Sequence, residues 1–269
     1  MAETLKNSNR IPAKLRFQTF RTIYALIMRE MTTTHGRSPG GYIWAVVEPV
    51  AGIALMTLIF GLYLRSPPIG TSFGLFYATG LVPFSIYVDL QNKTAQTIRF
   101  SRPLLMYPKV TFLDAVFARF ILNSITQLLV FYIVMTGVIF ISGVSLQYDF
   151  GKIALSFGLA AALGLSIGSI NSLLFAFFPI WERVWAVVTR PLLLVSCTFY
   201  LFEKLPESVQ PFLWFNPLSH IVGLMRDGFY ASYSAGYVSV AYVGLWCIIP
   251  LSFGVYFLRV YHKKILNEL

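Results

Sequence analysis

The sequence predicts an all-α integral membrane protein: six transmembrane helices, an N-terminal amphipathic interfacial helix, and short external re-entrant helices before the last span. Three observations carry this. Charged residues are only 12% of the chain against 57% hydrophobic, about half the roughly 25% charge that solvates a soluble surface. The mean hydropathy is +0.68. The apolar residues also gather into runs near the roughly 20 residues that a helix needs to cross hydrocarbon. These runs lie at about 43–64, 73–96, 112–142, 153–178, 184–202 and 237–258.

Residues 1–42 form a basic N-terminal segment. Within it, KLRFQTFRTIYALIMREM sets Phe20, Tyr24, Ile27 and Met31 at helical spacing, with Arg21 and Arg29 on another face. A helix of this kind is expected to lie in the headgroup plane, its basic face toward anionic lipid. The apolar stretch Ile23 to Met28 is too short for a signal h-region and no small-residue cleavage site follows, so no signal peptide is expected. The first span then opens with Glu48 and Pro49 already inside its apolar part. A carboxylate there is expensive, and an intramembrane acid is a functional candidate by default.

The connection NKTAQTIRFSRPLLMYPKVTFLD mixes four cations with Leu104, Leu105, Met106 and Tyr107 between two prolines. It predicts a short amphipathic helix bounded by Pro103 and Pro108, within about 99–110, that presents a basic and apolar knob. In the fourth span Ala160, Gly164, Gly168 and Ser172 recur every four residues. Small side chains on one helix face let a neighbour approach closely. The fifth span is the shortest and contains Arg190-Pro191. Between the fifth and sixth, residues 203–236 are too apolar for a solvated loop. LPESVQPFLWF and PLSHIVGLMRDGFY are each of re-entrant or interfacial length, joined by Asn216-Pro217 as an N-cap and first-turn proline. A folded external cap is the other reading of this segment.

Lysine and arginine placement orients the bundle. Fifteen fall on the side of the N-terminus, the 99–110 connection and the tail 259–269, and four on the other side. Both termini are therefore expected in the cytoplasm, and the net charge of +10 is mostly topology rather than a nucleic-acid surface. Cys197 and Cys247 lie in apolar runs and read as buried hydrophobes.

Catalytic chemistry has no foothold. The chain has no G-x-x-x-x-G-K-[ST] phosphate loop, and His35, His220 and His262 stand apart from any ligand partner. No metal or cofactor is expected in this chain. Of the acids, Glu48, Asp89, Asp114 and Glu182 fall inside or at the ends of spans. Each is open to a functional or an interfacial reading. The 24 Phe, 15 Tyr and 5 Trp exceed what anchoring requires only in part. Most anchor at the lipid interface, and a minority offer ring faces to sugars along a conduit. Trp44, Tyr63, Phe84, Tyr87 and Tyr200, near span ends, are the candidates.

Four stretches together resemble one family: THGRSPGGYIWAVVEP at 34–49, FYATGLVPFSIY at 76–87, RPLLMYPKVTFLD at 102–114 and LPESVQPFLWFNPLSHIVGLMRDGFY at 205–230. The chain is similar, over nearly its whole length, to the membrane subunits of ABC type 2 exporters of the bacterial polysaccharide-export kind (capsule and O-antigen permeases). The Ser38-Pro39-Gly40-Gly41 approach departs from the family's tendency toward a longer polar residue there. The resemblance implies a non-catalytic, multi-pass inner-membrane permease that exports a lipid-linked capsular polysaccharide, with an O-antigen or teichoic-acid type glycan, or a drug or a lipid, as the alternative cargo. ATP and Mg would be bound by a separate nucleotide-binding ATPase subunit, present in two copies. The first and fifth spans of a homodimer would line the path, and periplasmic or outer-membrane export proteins would be further partners.

The resemblance also implies roles. Arg99, Arg102, Leu104, Leu105, Tyr107 and Lys109 would couple to the ATPase. Gly40-Gly41 would bend the chain into the first span, placing Arg37, Trp44 and Glu48 near the cytoplasmic mouth. There Glu48 would pair with Arg37 or another cation, or contact substrate. Trp214, Asn216, Arg226 and Asp227 would belong to an external gate at about 205–230, with Arg226 and Asp227 at its edge.

Overall fold

The computed structural model describes residues 18–34, 41–63, 66–105, 111–143 and 148–268. Among them all regular structure is helical: α1 (Gln18–Thr34), α2 (Gly41–Tyr63), α3 (Phe73–Ala95), α4 (Thr97–Leu105), α5 (Phe112–Ser142), α6 (Phe150–Phe177), α7 (Pro179–Val195), α8 (Gln210–Trp214), α9 (Pro217–Phe229) and α10 (Val240–Glu268). The described segments Phe73–Ala95, Phe112–Ser142, Phe150–Phe177 and Val240–Tyr261 are long and apolar enough to cross a membrane, and Val46–Leu62 is apolar but shorter. α7, with 17 residues, rises only about 26 Å. The six expected runs thus reappear as six helices in order, and α2, at 23 residues, is as long as α3.

Local chemistry sets the ends. Ser72 caps α3 by accepting from the Leu75 N–H. Thr111 and Asp114 make a reciprocal capping box at the start of α5, with bonds of 3.1 and 3.2 Å. Gly143, at φ 62°, ends α5 in the left-handed conformation that glycine adopts without strain. Asp149 caps α6 through the Lys152 N–H.

α3 is the central helix, packed by α6, α5, α2 and α9. Its tightest seam is with α6, where the small-residue stripe does what its spacing predicts. A Cβ on Gly164 would lie 3.0 Å from Leu90 Cβ and 3.1 Å from the Tyr87 carbonyl. On Gly168 it would lie 2.6 Å from Thr94 Cβ, a distance real Cβ atoms do not tolerate. Gly254 plays the same part between α10 and α6, where a Cβ would meet Ser169 at 2.9 Å. Cys197 and Cys247 are buried free thiols.

Two expectations need correction here. Phe84 and Tyr87 were candidates for the mouth of a conduit, but both are buried in the core. They sit on α3, which other helices surround, and a sequence does not reveal which helix is central. The amphipathic helix expected between Pro103 and Pro108 instead runs Thr97–Leu105, with Pro103 inside it. The chain restarts a helix one residue after α3, and Pro103 inside it gives up the bond to the Arg99 carbonyl; Pro108 lies outside the described residues.

Candidate functional site

The basic end of the bundle is organised around α4. Arg99 of α4 reaches Glu182 in the first turn of α7 at 2.8 Å. One residue on, Phe100 lies under the Arg119 guanidinium, 4.4 Å from its ring centroid. Arg119, buried in α5, pairs with Glu30 of α1 at 3.1 Å. The short helix is thereby linked to three others. Burial pushes the Glu30 carboxyl above its ordinary range, against the pull of Arg119, Lys93 and Arg29. α1 itself is amphipathic as expected. Phe20, Tyr24 and Met31 stay exposed while Glu30 is buried, and the helix packs on α5. Leu105 is half-buried against a small apolar cluster with Ile98 and Phe112. Tyr107, Lys109 and Arg37 lie outside the described residues, as do the side chains of Leu104 and Tyr63. Arg102 is half-buried in the last turn of α4.

The four acids flagged at span positions separate cleanly. Asp114 is a helix cap. Asp89 accepts from Gln127 Nε2 at 3.0 Å. Glu182 holds Arg99. Glu48 is exposed on α2. It shares a stripe with Trp44, Leu55, Leu58 and Leu62, which are 53–78% exposed. α7 carries a second stripe: Ile180, Val187 and Leu194, seven residues apart, are each more than half exposed. No residue of α7 is buried.

The opposite end is closed by a cap built from 196–239. Asn216 accepts from Leu218 N–H and donates to the Val195 carbonyl and Ser196 Oγ. The N-cap foreseen at this position therefore also grips the end of α7. Trp214 Nε1 donates to the Tyr237 carbonyl at 3.1 Å. Asp227 meets Lys152 Nζ at 2.9 Å, pinning α9 to the start of α6. Tyr200, offered as a mouth residue, donates to the Leu194 carbonyl in this cap.

Arg226 corrects the sequence reading most sharply. Expected at an edge, it is 1% exposed. Its Nη1 donates to the carbonyls of Cys197 and Tyr200, both at 2.8 Å, and its Nη2 to that of Thr198 at 2.7 Å. The guanidinium also lies 4.3 Å over the Phe76 ring. The turn after α7, where Cys197 adopts φ 57°, leaves carbonyls that no helix satisfies. A planar fork of donors meets them. His220, which sequence reasoning set aside, is the ring at the centre of the cap. Its Nε2–H donates to the Trp214 carbonyl and its Nδ1 accepts from the Ser239 N–H, which fixes the neutral tautomer. Phe202 and Tyr237 stack beside it at 4.0 Å. Only the surplus of apolar residues in 203–236 hinted at this packing.

The bundle thus carries an amphipathic helix at its basic end and a packed cap at the other. The ABC-2 type transporter family matches residues 21–230. The chain belongs to that family. Among the curated relatives of this ABC-2 protein is the polysialic acid transport protein KpsM of Escherichia coli, 28% identical over 92% of the chain and 96% of the relative. The capsule polysaccharide export inner-membrane protein CtrC of Neisseria meningitidis serogroup B is 27% identical over 91% and 92%. BexB of Haemophilus influenzae, named likewise, is 25% identical over 91% and 92%.

Proposed function

We propose that the chain is the membrane-spanning permease subunit of an ATP-driven exporter. Its cargo is a lipid-linked capsular polysaccharide, moved from cytoplasm to periplasm across the inner membrane. The observation that carries this reading is similarity, over 91–92% of the chain, to a polysialic acid transport protein and to capsule polysaccharide export inner-membrane proteins of two further bacteria. In this reading α2, α3, α5, α6, α7 and α10 are six spans, an even number that leaves both termini on one side, and the excess of Lys and Arg on that side supports the cytoplasm.

In this reading α4 is the coupling helix. A nucleotide-binding subunit, which binds ATP and Mg, grips it through Arg99, Arg102, Leu104, Leu105, Tyr107 and Lys109. Arg99 passes the movement to α7 through Glu182, and the Phe100–Arg119–Glu30 chain passes it to α5 and α1. Two copies of the permease meet around a two-fold axis, with two ATPase subunits below. The unpacked stripes of α2 and α7 face the shared path, which is why a carboxylate such as Glu48 is tolerated on one of them. The cap with Trp214, Asn216, Arg226 and Asp227 seals the outer end, and the basic rim attracts acidic glycans or phosphate.

The test is deletion of the gene, followed by surface staining and measurement of intracellular glycan. Surface polymer should vanish and glycan accumulate inside. Wild type should restore export, whereas Leu104→Asp with Leu105→Asp should insert normally and not export. Unchanged surface polymer with lost resistance to a small toxic compound would move the cargo class to drugs or lipids.

A further inference from the structure

α2 and α7 each carry charge on the face that the bundle leaves open. Glu48 is the one charged residue of α2, and it lies on the exposed stripe with Trp44, Leu55, Leu58 and Leu62. Arg183 and Arg190 are exposed along one edge of the Ile180–Val187–Leu194 stripe of α7. The ion pairs among the described residues join Arg99 to Glu182, Arg119 to Glu30, and Lys152 to Asp149 and Asp227. Glu48 and Arg190 are in none of them. A charge at the centre of a spanning helix costs about 2.5–3.5 kcal/mol. The long stem of Arg190 can reach toward an interface. Glu48 has a short one, and it stands about 10 Å from the start of α2 and about 22 Å from its end.

The two charges stand at nearly the same depth, with α3 as the ruler. A Cβ on Gly74, in the first turn of α3, would lie 3.7 Å from Thr57 Oγ1. Glu48, nine residues before Thr57, is therefore level with about Pro83. At the outer end of α7 the Thr198 carbonyl packs on Gly80 of α3. Arg190, five residues before the helix ends at Val195, is then level with about Ser85. At the inner end Trp181 bonds Asn171 of α6, three residues beyond the contact of Gly168 with Thr94, which places Arg190 level with about Tyr87. The offset from Glu48 is thus about 3–6 Å at a rise of about 1.5 Å per residue, which a Glu and an Arg side chain span together. Arg183 lies about 10 Å farther in. Within one chain, however, α2 packs on α3 and α5, and α7 on α6, so the two charges do not meet inside a single copy.

We infer that Glu48 of one copy pairs with Arg190 of the partner subunit, and Arg190 with Glu48 of the partner subunit, so that two identical ion pairs fasten α2 to α7 across a two-fold axis. Charge complementarity selects a second copy as the occupant of both faces. One face carries the acid and the other the cation at one depth, and a symmetric pairing satisfies both, whereas a lipid tail satisfies neither. The inference rests on the reading of the chain as a two-copy permease. It adds the residues that join the copies and the cation that answers the acid of α2.

The experiment uses the permease–ATPase complex in cells, with two differently tagged permease copies in which Cys197 and Cys247 are replaced by alanine. One copy carries Glu48→Cys and the other Arg190→Cys, and a short bis-thiol-reactive reagent is added. The two tags should be linked, and a copy with Arg183→Cys in place of Arg190→Cys should not be. No link, or a link through Arg183→Cys alone, would overturn the pair. Charge exchange is the second arm, read as the dimer dissociation constant by native mass spectrometry. Glu48→Arg and Arg190→Glu should each raise it roughly tenfold, and both together in every copy should return it to within roughly threefold of wild type. No recovery in the double variant, or recovery when Glu48→Arg is combined instead with Arg37→Glu, would overturn the pair. Where a reversed charge blocks insertion, Glu48→Gln with Arg190→Gln decides. The two should cost no more than either alone, and additive losses would overturn the pair. Surface glycan is scored in parallel. Gene-dependent surface glycan with no link between positions 48 and 190 would overturn the pair and leave the export function standing. A linked dimer with the expected exchange pattern, in a strain whose surface glycan does not depend on the gene, would uphold the pair and overturn the cargo.

Discussion

α6 and α7 follow one another in the chain with a single residue between them, yet they are packed in opposite ways. α6 buries a face of small and polar residues, Ala160, Gly164, Ser166, Gly168 and Ser172 among them, against α3 and α10. α7 buries no residue at all. It is held at its ends instead, by Glu182 on Arg99 and Trp181 on Asn171 at one, and by Asn216 on the Val195 carbonyl at the other. The difference teaches which parts are scaffold and which face something absent from a single chain. A close-packed seam cannot slide without voids or clashes. A helix held mainly near its termini, with an apolar stripe of Ile180, Val187 and Leu194 outward, is the one that the proposed function turns toward a second copy or a passing cargo.

The comparison breaks most easily at Gly168. Its missing Cβ would fall 2.6 Å from Thr94 Cβ and 2.8 Å from the Gln91 carbonyl, so Gly168→Val should prevent folded protein from accumulating in the membrane, as size-exclusion yield in detergent would show. Next is Arg119→Leu. It removes the cation 3.1 Å from buried Glu30, a loss of about 3–5 kcal/mol for one partner of a buried pair, and a thermal-shift assay should register it. Removing Glu30 as well should recover part of it. Arg226→Lys keeps the charge, but a single ammonium cannot serve three carbonyls as a fork does. About 2 kcal/mol should be lost, and limited proteolysis should cut first at 196–200. The smallest effect belongs to α7. Val187→Ala should change stability by less than about 0.5 kcal/mol in the same thermal assay. A large loss there would mean that α7 is scaffold after all.

The seam was legible in the sequence because its signal is local. Ala160, Gly164, Gly168 and Ser172 repeat with the helix period, and only close packing rewards that repeat. The Asn216-Pro217 cap was legible for the same reason, since side chain and partner N–H are two residues apart. The partners of Arg119 and Arg226 were not. Glu30 lies 89 positions before Arg119, and the carbonyls that Arg226 serves belong to a turn 26–29 residues earlier. No periodicity records such meetings. Phe84 and Tyr87 misled because aromatic residues look alike whether a helix is central or peripheral. Pro103 misled because proline usually marks a helix boundary, whereas α4 carries it inside, as its seventh of nine residues.

The most direct test of the account is a cysteine at Val187 in a chain whose Cys197 and Cys247 are replaced by alanine, with Leu128→Cys on the exposed face of α5 as the comparison. Cells are oxidised, and both the cross-linked dimer and surface glycan are measured. Two α7 helices lining one path predict that Val187→Cys links the copies and stops surface polymer, that reduction restores both, and that Leu128→Cys does neither. Cross-linking and arrest through Leu128, with Val187 inert, would contradict it.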